Sequence, residues 1–431
     1  MARKIAIVGG VRTPFLKTDG RFADLSAVEL GRLAAREAIA RSGADPATIG
    51  GVIIGSTGCR PPEMANIARL VALAAGIPET VPAHTVHRDC ASSLQALISG
   101  AQAIATGEAE LVAAGGVESM SNGLVLPSER YQEVGLRYLR SRSGGERLAS
   151  LLGLRSADFR PRRTLPQGLT DRRHSLDPGE TAELLARELA IGREAQDEYA
   201  LASRRRAAAA QAAGRFKEEI MTVLLPPDYQ EEIDTDDGGS PPAGPELLAG
   251  MDAAVDPRFG TVTAGNTAQG GDGATLLLLA GDKAVSRYGL TPLGYLTEHV
   301  CTGLDQKYTG LGGAVAAARL MEQTGHRLAD FGLIEMHETS AAQIIASEKI
   351  FADEGLARRY LHTQAPGRLD RNLVNVNGGA IALGHPVGAT GARLVLTLLL
   401  EMRRRKVDLG LVTLAAGGGQ GAALIIERGR L

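Results

Sequence analysis

Residues 378–391, Gly-Gly-Ala-Ile-Ala-Leu-Gly-His-Pro-Val-Gly-Ala-Thr-Gly, place His385 among glycines and a proline, directly before an apolar stretch of helical periodicity at 388–403. Glycine and proline in this density predict tight turns that bring the backbone close to another group. A histidine held in such a turn at the start of a helix suits a general base for a thiol. A histidine that only hydrogen-bonds backbone within the turn explains the pattern equally well.

A cysteine occupies the matching place in the first half of the chain. Cys90 lies in His-Arg-Asp-Cys-Ala-Ser-Ser-Leu-Gln at 87–95, where a helix over 92–106 should begin. A helix N-terminus stabilises a thiolate and lowers its pKa, so the position favours a nucleophile. The alternative is a small buried hydrophobe, which is the commoner state of a lone cysteine.

The two halves of the chain resemble each other beyond these positions. Residues 330–336 resemble 49–55, residues 411–414 running into Gly417 parallel 111–114 running into Gly115, and 421–428 parallel 273–280. Strands that alternate with helices predict an α/β fold with a parallel or mixed sheet covered on both faces. A duplicated unit of this kind would bring Cys90 and His385 towards one centre.

Further candidate residues follow the strands of the second half. His337 and Glu338 come after the apolar strand 333–336, and the end of a strand in an α/β sheet is a usual place for a site. By itself, a surface histidine is the better interpretation of His337, and Glu338 could orient it or cap the next helix. The run 417–419 offers backbone N–H groups for an oxyanion, Gly265-Asn266-Thr267 is a polar turn without an assigned role, and no cluster has metal-ligand spacing.

Bulk properties narrow the class of protein. The 431 residues suggest two or three domains, and a formal net charge of −2 does not favour nucleic acid as a partner. Three cysteines make no disulfide framework, so we expect a reducing cytoplasm and structural roles for Cys59 and Cys301. The short apolar run at the N-terminus does not fit a signal peptide, and no stretch has the length of a membrane span.

An arginine-rich insertion interrupts the first half. Residues 130–173 contain eleven Arg, no Lys and four acidic residues, which predicts an irregular basic segment. A solvated loop, a clamp for the phosphates of an anionic cofactor, a partner-docking surface and a contact with an anionic membrane all fit this composition. A long helix at 181–216 and a loop at 226–260 are expected to follow.

Taken together, these motifs resemble the thiolase family over nearly the whole chain. The matching segments are Arg12-Thr13-Pro14-Phe15, residues 87–95, residues 115–121, Thr263-Ala264-Gly265-Asn266, and Gly384-His385-Pro386 with Gly388 and Gly391. Within the family, Pro82-Ala83-His84-Thr85-Val86, the Ser92-Ser93 pair and His337-Glu338 look most like the β subunit of the trifunctional protein and its bacterial counterpart.

The resemblance implies an architecture. It implies two duplicated α/β halves that form a five-layered α/β/α/β/α core with an inserted loop domain. The N-terminal half would comprise residues 1–120 and 258–285, the loop domain residues 121–257 on the coenzyme A side, and the C-terminal half residues 286–431. Dimers or tetramers, a hydratase/dehydrogenase subunit as partner, and peripheral membrane contact through the insertion are further implications.

The resemblance also implies an activity. Cys90 would be acylated, His385 would be its base, and acyl-CoA would be the substrate, with no permanently bound cofactor. His385 and His337 would form one oxyanion site, and the backbone N–H groups of Cys90 and Gly417 the other. The expected reaction is the cleavage or formation of 3-oxoacyl-CoA.

One position departs from the family pattern. Thiolases carry a second cysteine just before the glycine run, and Ala415 stands there in this chain. That cysteine moves the proton at the α-carbon, and loss of a general acid/base costs about 10²–10⁴ in rate. His337 or Glu338 could take over this role. The alternative functions are a specialised condensing enzyme that decarboxylates its substrate and a weakly catalytic subunit that binds acyl-CoA.

Overall fold

The computed structural model describes residues 4–58, 66–123, 125–160, 176–237 and 244–429, and the backbone of 162–163. The strands in these residues are β1 (Ile5–Arg12), β2 (Leu16–Lys17), β3 (Gly51–Gly55), β4 (Ala83–Val86), β5 (Leu111–Ser119), β6 (Val125–Leu126), β7 (Arg162–Arg163), β8 (Val223–Leu224), β9 (Glu232–Ile233), β10 (Gly271–Ala280), β11 (Gly294–Gly303), β12 (Leu333–Met336), β13 (Leu409–Ala416) and β14 (Gln420–Arg428). The helices are α1 (Ala27–Ser42), α2 (Ile67–Ala74), α3 (Ser92–Thr106), α4 (Glu129–Arg140), α5 (Gly144–Leu151), α6 (Pro178–Glu188), α7 (Arg193–Ala212), α8 (Pro245–Ala249), α9 (Asp282–Tyr288), α10 (Gly312–Thr324), α11 (Ala341–Ala352), α12 (Glu354–Tyr360), α13 (Ala380–Leu383) and α14 (Thr390–Arg405).

One mixed sheet contains both halves of the chain. Its strand order is β4-β3-β5-β10-β1-β11-β14-β13-β12. β3 pairs in parallel with β5, and β12 pairs in parallel with β13, whereas β10 and β14 run antiparallel to their neighbours. β1 and β11 lie at the centre of this order. Counting outwards from them, β10, β5 and β3 on one side correspond to β14, β13 and β12 on the other. The internal duplication predicted from the sequence is confirmed.

Three apolar cores separate the layers. Leu276 and Leu278 of β10 pack in one outer core with α1 and α2, while Leu277 and Leu279 of the same strand pack in a central core. The central core holds α3 and α14, and α14 also packs against the strands of the second half. A third core lies beyond those strands with α10 and α11. Because side chains of a strand alternate between its faces, strands buried on both faces read as continuous apolar runs. The α/β fold class is confirmed.

Close packing at the centre depends on Gly116 of β5. A Cβ atom at this position would lie 1.9 Å from the carbonyl oxygen of Gly388, which is backbone and cannot rotate away. The glycine is therefore required by close packing inside the strand, which continues through Gly115-Gly116 to Ser119 and does not end before them as expected from the sequence.

We expect Gly116→Ala to lower the free energy of unfolding by about 3 kcal/mol, because overpacking a close-packed core forces the backbone apart. Urea denaturation measures the change. Gly51→Ala in β3 is the matched control, because its added Cβ would make an ordinary contact of 3.9 Å with Val112. If both variants lost the same free energy of unfolding, the cause would be the change of a glycine within a strand and not the close approach of Gly116 to the Gly388 carbonyl.

The start of the helix predicted at 388–403 needs correction. The helix after His385 begins at Thr390, five residues beyond the histidine, because residues 386–389 form a turn. Elsewhere in the fold, α2 begins at Ile67, where the side chain of Asn66 accepts a hydrogen bond from the Arg69 N–H.

The insertion is more regular than its composition suggested. The prediction of an irregular segment at 130–173 is wrong for the described part, where α4 and α5 form, each with a serine N-cap. The single helix predicted at 181–216 is two helices, α6 and α7, because Ala190 adopts a left-handed backbone between them. Within the predicted loop at 226–260, α8 adds one short helix. No helix in the described ranges is long and apolar enough to cross a membrane.

Candidate active site

Cys90 and His385 meet at the centre of the fold. Cys90 lies two residues before α3, and His385 follows α13 on the other half of the duplication. The Sγ atom of Cys90 is 3.4 Å from Nε2 of His385, and both residues are buried. The predicted convergence of these two residues is therefore observed, although the sequence positions are 295 residues apart.

The hydrogen bonds of Thr390 fix the protonation of His385. The Thr390 hydroxyl donates to the carbonyl oxygen of Pro386 at 2.9 Å, and Nδ1 of His385 is 2.6 Å from the same hydroxyl oxygen. Because the hydroxyl proton is already used, Nδ1 must carry a hydrogen and donate it. The lone pair of Nε2 then faces the Cys90 thiol, which is the arrangement a general base requires.

We expect Thr390→Val to slow acylation of Cys90 about tenfold, since the ring loses the acceptor that orients it and fixes its tautomer. Single-turnover acylation followed by mass spectrometry measures this change. Thr390→Ser keeps the hydroxyl and should retain most of the rate. A Thr390→Val protein with wild-type acylation would show that packing alone orients His385.

The expectation of a lowered thiol pKa at Cys90 is wrong. Burial, and next the negative charge of Asp89, raise the pKa of the Cys90 thiol to about 12. Hydrogen bonds from the backbone N–H groups of Gly417 and Cys90 act in the opposite direction, towards a lower pKa. The helix N-terminus does not overcome burial, so Cys90 rests as a thiol and loses its proton only when His385 takes it.

His385 is a neutral base. Burial, and then the positive charge of Arg393, lower the pKa of His385 to about 3. Arg393 is itself fully buried on α14, with its Nη1 3.0 Å from a carboxylate oxygen of Glu335. Burial raises the pKa of Glu335 to about 8. This buried pair was not recognised in the sequence, because only the fold brings strand β12 against α14.

His337 lies beside His385. The two rings are tilted against each other with centroids 4.3 Å apart, and burial lowers the pKa of His337 well below its usual value. Its Nδ1 is 3.2 Å from the Thr339 hydroxyl, whereas Nε2 is buried without a hydrogen-bond partner among the described residues. A buried nitrogen of this kind could bind a water molecule or a substrate oxygen.

Glu338 performs neither role suggested by the sequence. Ser340, not Glu338, caps α11, and the Glu338 carboxylate accepts hydrogen bonds from Tyr199, Ser203 and Asn375 at 2.7–2.9 Å. The carboxylate is therefore saturated and fully buried, which leaves no free oxygen for a proton transfer at the α-carbon.

Glu118 links two loops through hydrogen bonds, a role that was not predicted from the sequence. Its buried carboxylate accepts from the N–H groups of Thr57, Gly58 and Gly388 and from the Thr57 hydroxyl. Burial raises the pKa of Glu118 to about 7. The residue joins a loop of the first half to the turn after His385, and the only signal in the sequence was its place in a family motif.

A cavity of about 190 Å³ opens to solvent above this centre. Cys90 and His385 lie in its wall, together with Ala415, Gly417 and the first turn of α6. Ala268, Met120 and Val387 also line it, so the wall is mostly apolar. Position 415 therefore lines the same cavity as the reacting thiol, and its methyl group supplies no proton.

Cys301 is not part of the site. The Sγ atom of Cys301 lies 3.9 Å from the Gln95 side chain, on the half-buried strand β11. Cys59 lies outside the described residues. Among the residues that the structure describes, no three His, Cys, Asp or Glu side chains are grouped as metal ligands.

Two family descriptions match consecutive parts of the chain: thiolase, N-terminal domain, at residues 5–283, and thiolase, C-terminal domain, at residues 290–428. The chain belongs to the thiolase family. The 3-ketoacyl-CoA thiolase of Pectobacterium carotovorum subsp. carotovorum (strain PC1) is 38% identical over 429 residues, which cover 98% of this chain and 96% of that protein. The 3-ketoacyl-CoA thiolase of Serratia proteamaculans (strain 568) is 37% identical, with 98% and 97% covered.

Solved thiolase structures agree with the fold. The Bacillus anthracis acetyl-CoA acetyltransferase superposes with a TM-score of 0.86 at 35% identity and covers 99% of each chain. Human mitochondrial 3-ketoacyl-CoA thiolase in complex with CoA gives a TM-score of 0.85 at 32% identity, with 100% of this chain and 99% of that chain covered. The likeness to solved thiolases therefore covers nearly the full length of the chain.

Proposed function

We propose that this thiolase-family protein is an acyltransferase that transfers an acyl group from 3-oxoacyl-CoA through a thioester on Cys90. The observation that carries the proposal is the 3.4 Å contact between Cys90 Sγ and a His385 ring whose Nδ1 is held by Thr390. A thiol, a neutral base and a residue that orients the base are the arrangement of an activated nucleophile. The full-length likeness to 3-ketoacyl-CoA thiolases supports the substrate class.

The first half-reaction follows from this geometry. Nε2 of His385 removes the Cys90 proton, and the sulfur attacks the 3-oxo carbon of the substrate. The N–H groups of Cys90 and Gly417, which already point at the sulfur, are placed to stabilise an oxyanion beside it. We assign the second oxyanion site to His385 and to the unpartnered Nε2 of His337.

The second half-reaction returns the enzyme to its starting state. Cleavage of the carbon–carbon bond completes the first half-reaction: it leaves the acyl group on Cys90, and the electron pair that remains on C2 takes up a proton to give acetyl-CoA. The coenzyme A thiol later returns a proton to the group that supplied this one. The thiol of coenzyme A then attacks that thioester, and the Cys90 sulfur recovers its proton from His385. Coenzyme A acts as substrate, and the mechanism requires no resident cofactor.

Intact-protein mass spectrometry after mixing with acetoacetyl-CoA tests the proposal, together with thiolysis followed by loss of the 3-oxoacyl thioester absorbance. We expect an acyl adduct and turnover in the presence of coenzyme A. Ala415 favours a second candidate, a condensing enzyme that forms its nucleophile by decarboxylation. Product formation from malonyl-CoA, without thiolysis, would favour that candidate, and the absence of any adduct would favour a subunit that only binds acyl-CoA.

The insertion supports a proposal about location and partners. We infer a cytoplasmic β-oxidation enzyme, homodimeric or homotetrameric, that docks on a hydratase/dehydrogenase subunit or a membrane surface through residues 121–257. Leu139 and Leu152 are 77% and 82% exposed, and Leu148 lies near them in sequence among several arginines. Exposed apolar side chains within a basic segment suit an anionic lipid surface, and flotation with vesicles that contain anionic lipid would test the contact. The relation to the trifunctional-protein β subunit and the domain limits 1–120 with 258–285, 121–257 and 286–431 stay predictions.

A further inference from the structure

A carboxyl group stands next to the nucleophile. Asp89 precedes Cys90 in sequence, and its Oδ2 atom lies 2.9 Å from where a Cβ atom of Gly417 would be. Gly417 is two residues from Ala415 and gives its N–H to the Cys90 sulfur. The carboxyl group therefore lies beside Gly417, whose N–H points at the sulfur and which directly follows the strand that carries position 415.

This carboxyl group is not engaged by the fold. Among the described residues, no N–H or O–H donates to its oxygens, and the Nε2 atom of His87 is 4.0 Å from Oδ1. The side chain is 20% exposed, so a proton can reach it. Glu118, the fully buried carboxylate near Cys90, contrasts with it because backbone and hydroxyl donors occupy its oxygens.

The backbone at Asp89 is strained. Its φ angle is +44°, in the left-handed region that residues other than glycine seldom adopt. Such strain persists only where the surrounding structure holds it, and it concentrates at functional sites. The Asp89 carbonyl accepts hydrogen bonds from the N–H and the hydroxyl of Ser92, which ties the strained turn to the start of α3.

We propose that Asp89 is the proton carrier at the α-carbon of the substrate and takes the place of the thiol that position 415 lacks. This proposal rests on the acyl transfer inferred above. Burial raises the pKa of Asp89, which favours the protonated acid, while His87 acts in the other direction. The titratable groups that act on Asp89 and Cys90 are His87, Glu118 and His385.

The proton balance closes with Asp89 in this role. When the bond between C2 and C3 of the 3-oxoacyl-CoA breaks, its electron pair remains on C2, and the Asp89 carboxyl gives its proton to C2 to form acetyl-CoA. The resulting carboxylate then takes the proton of the incoming coenzyme A thiol, whose sulfur attacks the acyl thioester and displaces Cys90. Asp89 ends as the acid with which it began, and Cys90 takes its proton back from His385.

Exchange of the acetyl protons of acetyl-CoA with deuterium oxide tests the proposal, with the Cys90 adduct measured in the same samples by intact mass. We expect the wild-type protein to incorporate deuterium and Asp89→Asn to do so about 10²–10⁴-fold more slowly. The adduct should form as in the wild type. Asparagine tolerates the left-handed backbone, so the turn should be preserved. Asp89→Glu, which retains a carboxyl group, should recover part of the exchange.

A thiol at position 415 provides the second arm. In the Asp89→Asn background, Ala415→Cys should raise the exchange rate about 10²-fold or more. In the wild type the same substitution should raise it less than about tenfold, because the effects of two groups that transfer the same proton do not add. A rise of 10²-fold or more in the wild type would overturn the proposal, because it would show that no carrier was present.

Other outcomes separate this proposal from the acyl transfer on which it rests. Undiminished exchange in Asp89→Asn overturns the role of Asp89. Loss of both exchange and adduct in Asp89→Asn and in Asp89→Glu also overturns it, because the carboxyl group would then be needed for the acylation of Cys90 and not for proton transfer alone. Loss of exchange in Asp177→Asn but not in Asp89→Asn would assign the role to Asp177, a carboxylate that lines the cavity, and asparagine would still cap α6 there. A wild-type protein without an adduct overturns the acyl-transfer proposal itself, whereas adduct without exchange overturns only the assignment of Asp89.

Discussion

Cys90→Ala should form no acyl adduct with acetoacetyl-CoA, and thiolysis should fall by about 10⁴-fold or more, because the covalent intermediate cannot form. Intact mass and a steady-state thiolysis assay measure the two effects. Cys90 is the described cysteine that lies within reach of a histidine base, at 3.4 Å from His385 Nε2. The substitution removes one sulfur from a well-packed core, so the fold should be retained.

Cys301→Ala is the matched control for this experiment. Cys301 is also a free thiol in the described structure, but it lies on β11 beside Gln95 and does not line the cavity. The adduct should form in this variant as in the wild type. An adduct that persists in Cys90→Ala and disappears in Cys301→Ala would overturn the assignment of the nucleophile.

His385→Gln should slow acylation by about 10²–10⁴-fold and change its dependence on pH. In the wild type, His385 with a pKa of about 3 stays neutral and Cys90 with a pKa of about 12 stays protonated over the neutral range. The acylation rate should therefore be nearly constant between about pH 5 and pH 9. Without the base, the reaction needs free thiolate, so the rate should rise about tenfold for each pH unit.

Single-turnover acylation measured over the same pH range distinguishes these two profiles. The lowered pKa of His385 keeps the base neutral and available at low pH. The raised pKa of Cys90 makes free thiolate scarce until the pH is high. A His385→Gln profile as flat as that of the wild type would show that another group removes the thiol proton. Thr390→Ser serves as the control, because it keeps the base and the hydroxyl that accepts from its Nδ1, and its profile should stay flat.

The predictable part of the site is the pair of motifs around Cys90 and His385. Each motif combines a reactive side chain with glycine-rich or polar neighbours next to a helix, and the repeated pattern of strands indicated that the two would converge. Arg393, Glu118 and Asp89 could not be recognised as residues of the site in this way. Arginine and the two acids are ordinary surface residues in a sequence, and only burial and contact with the site distinguish them.

The sequence by itself determined the fold class, the duplication and the candidates for nucleophile and base, because periodicity and motif spacing are local properties of the chain. The tertiary structure decided the protonation states. Burial keeps Cys90 as a thiol, where the helix position alone predicted a thiolate, and Thr390 fixes the tautomer of His385. The tertiary structure also placed the Asp89 carboxyl group, which accepts no hydrogen bond from the described residues, beside the end of β13, where Ala415 stands instead of a cysteine. Desolvation and charge pairing depend on neighbours that are far apart in sequence, and folding alone brings them together.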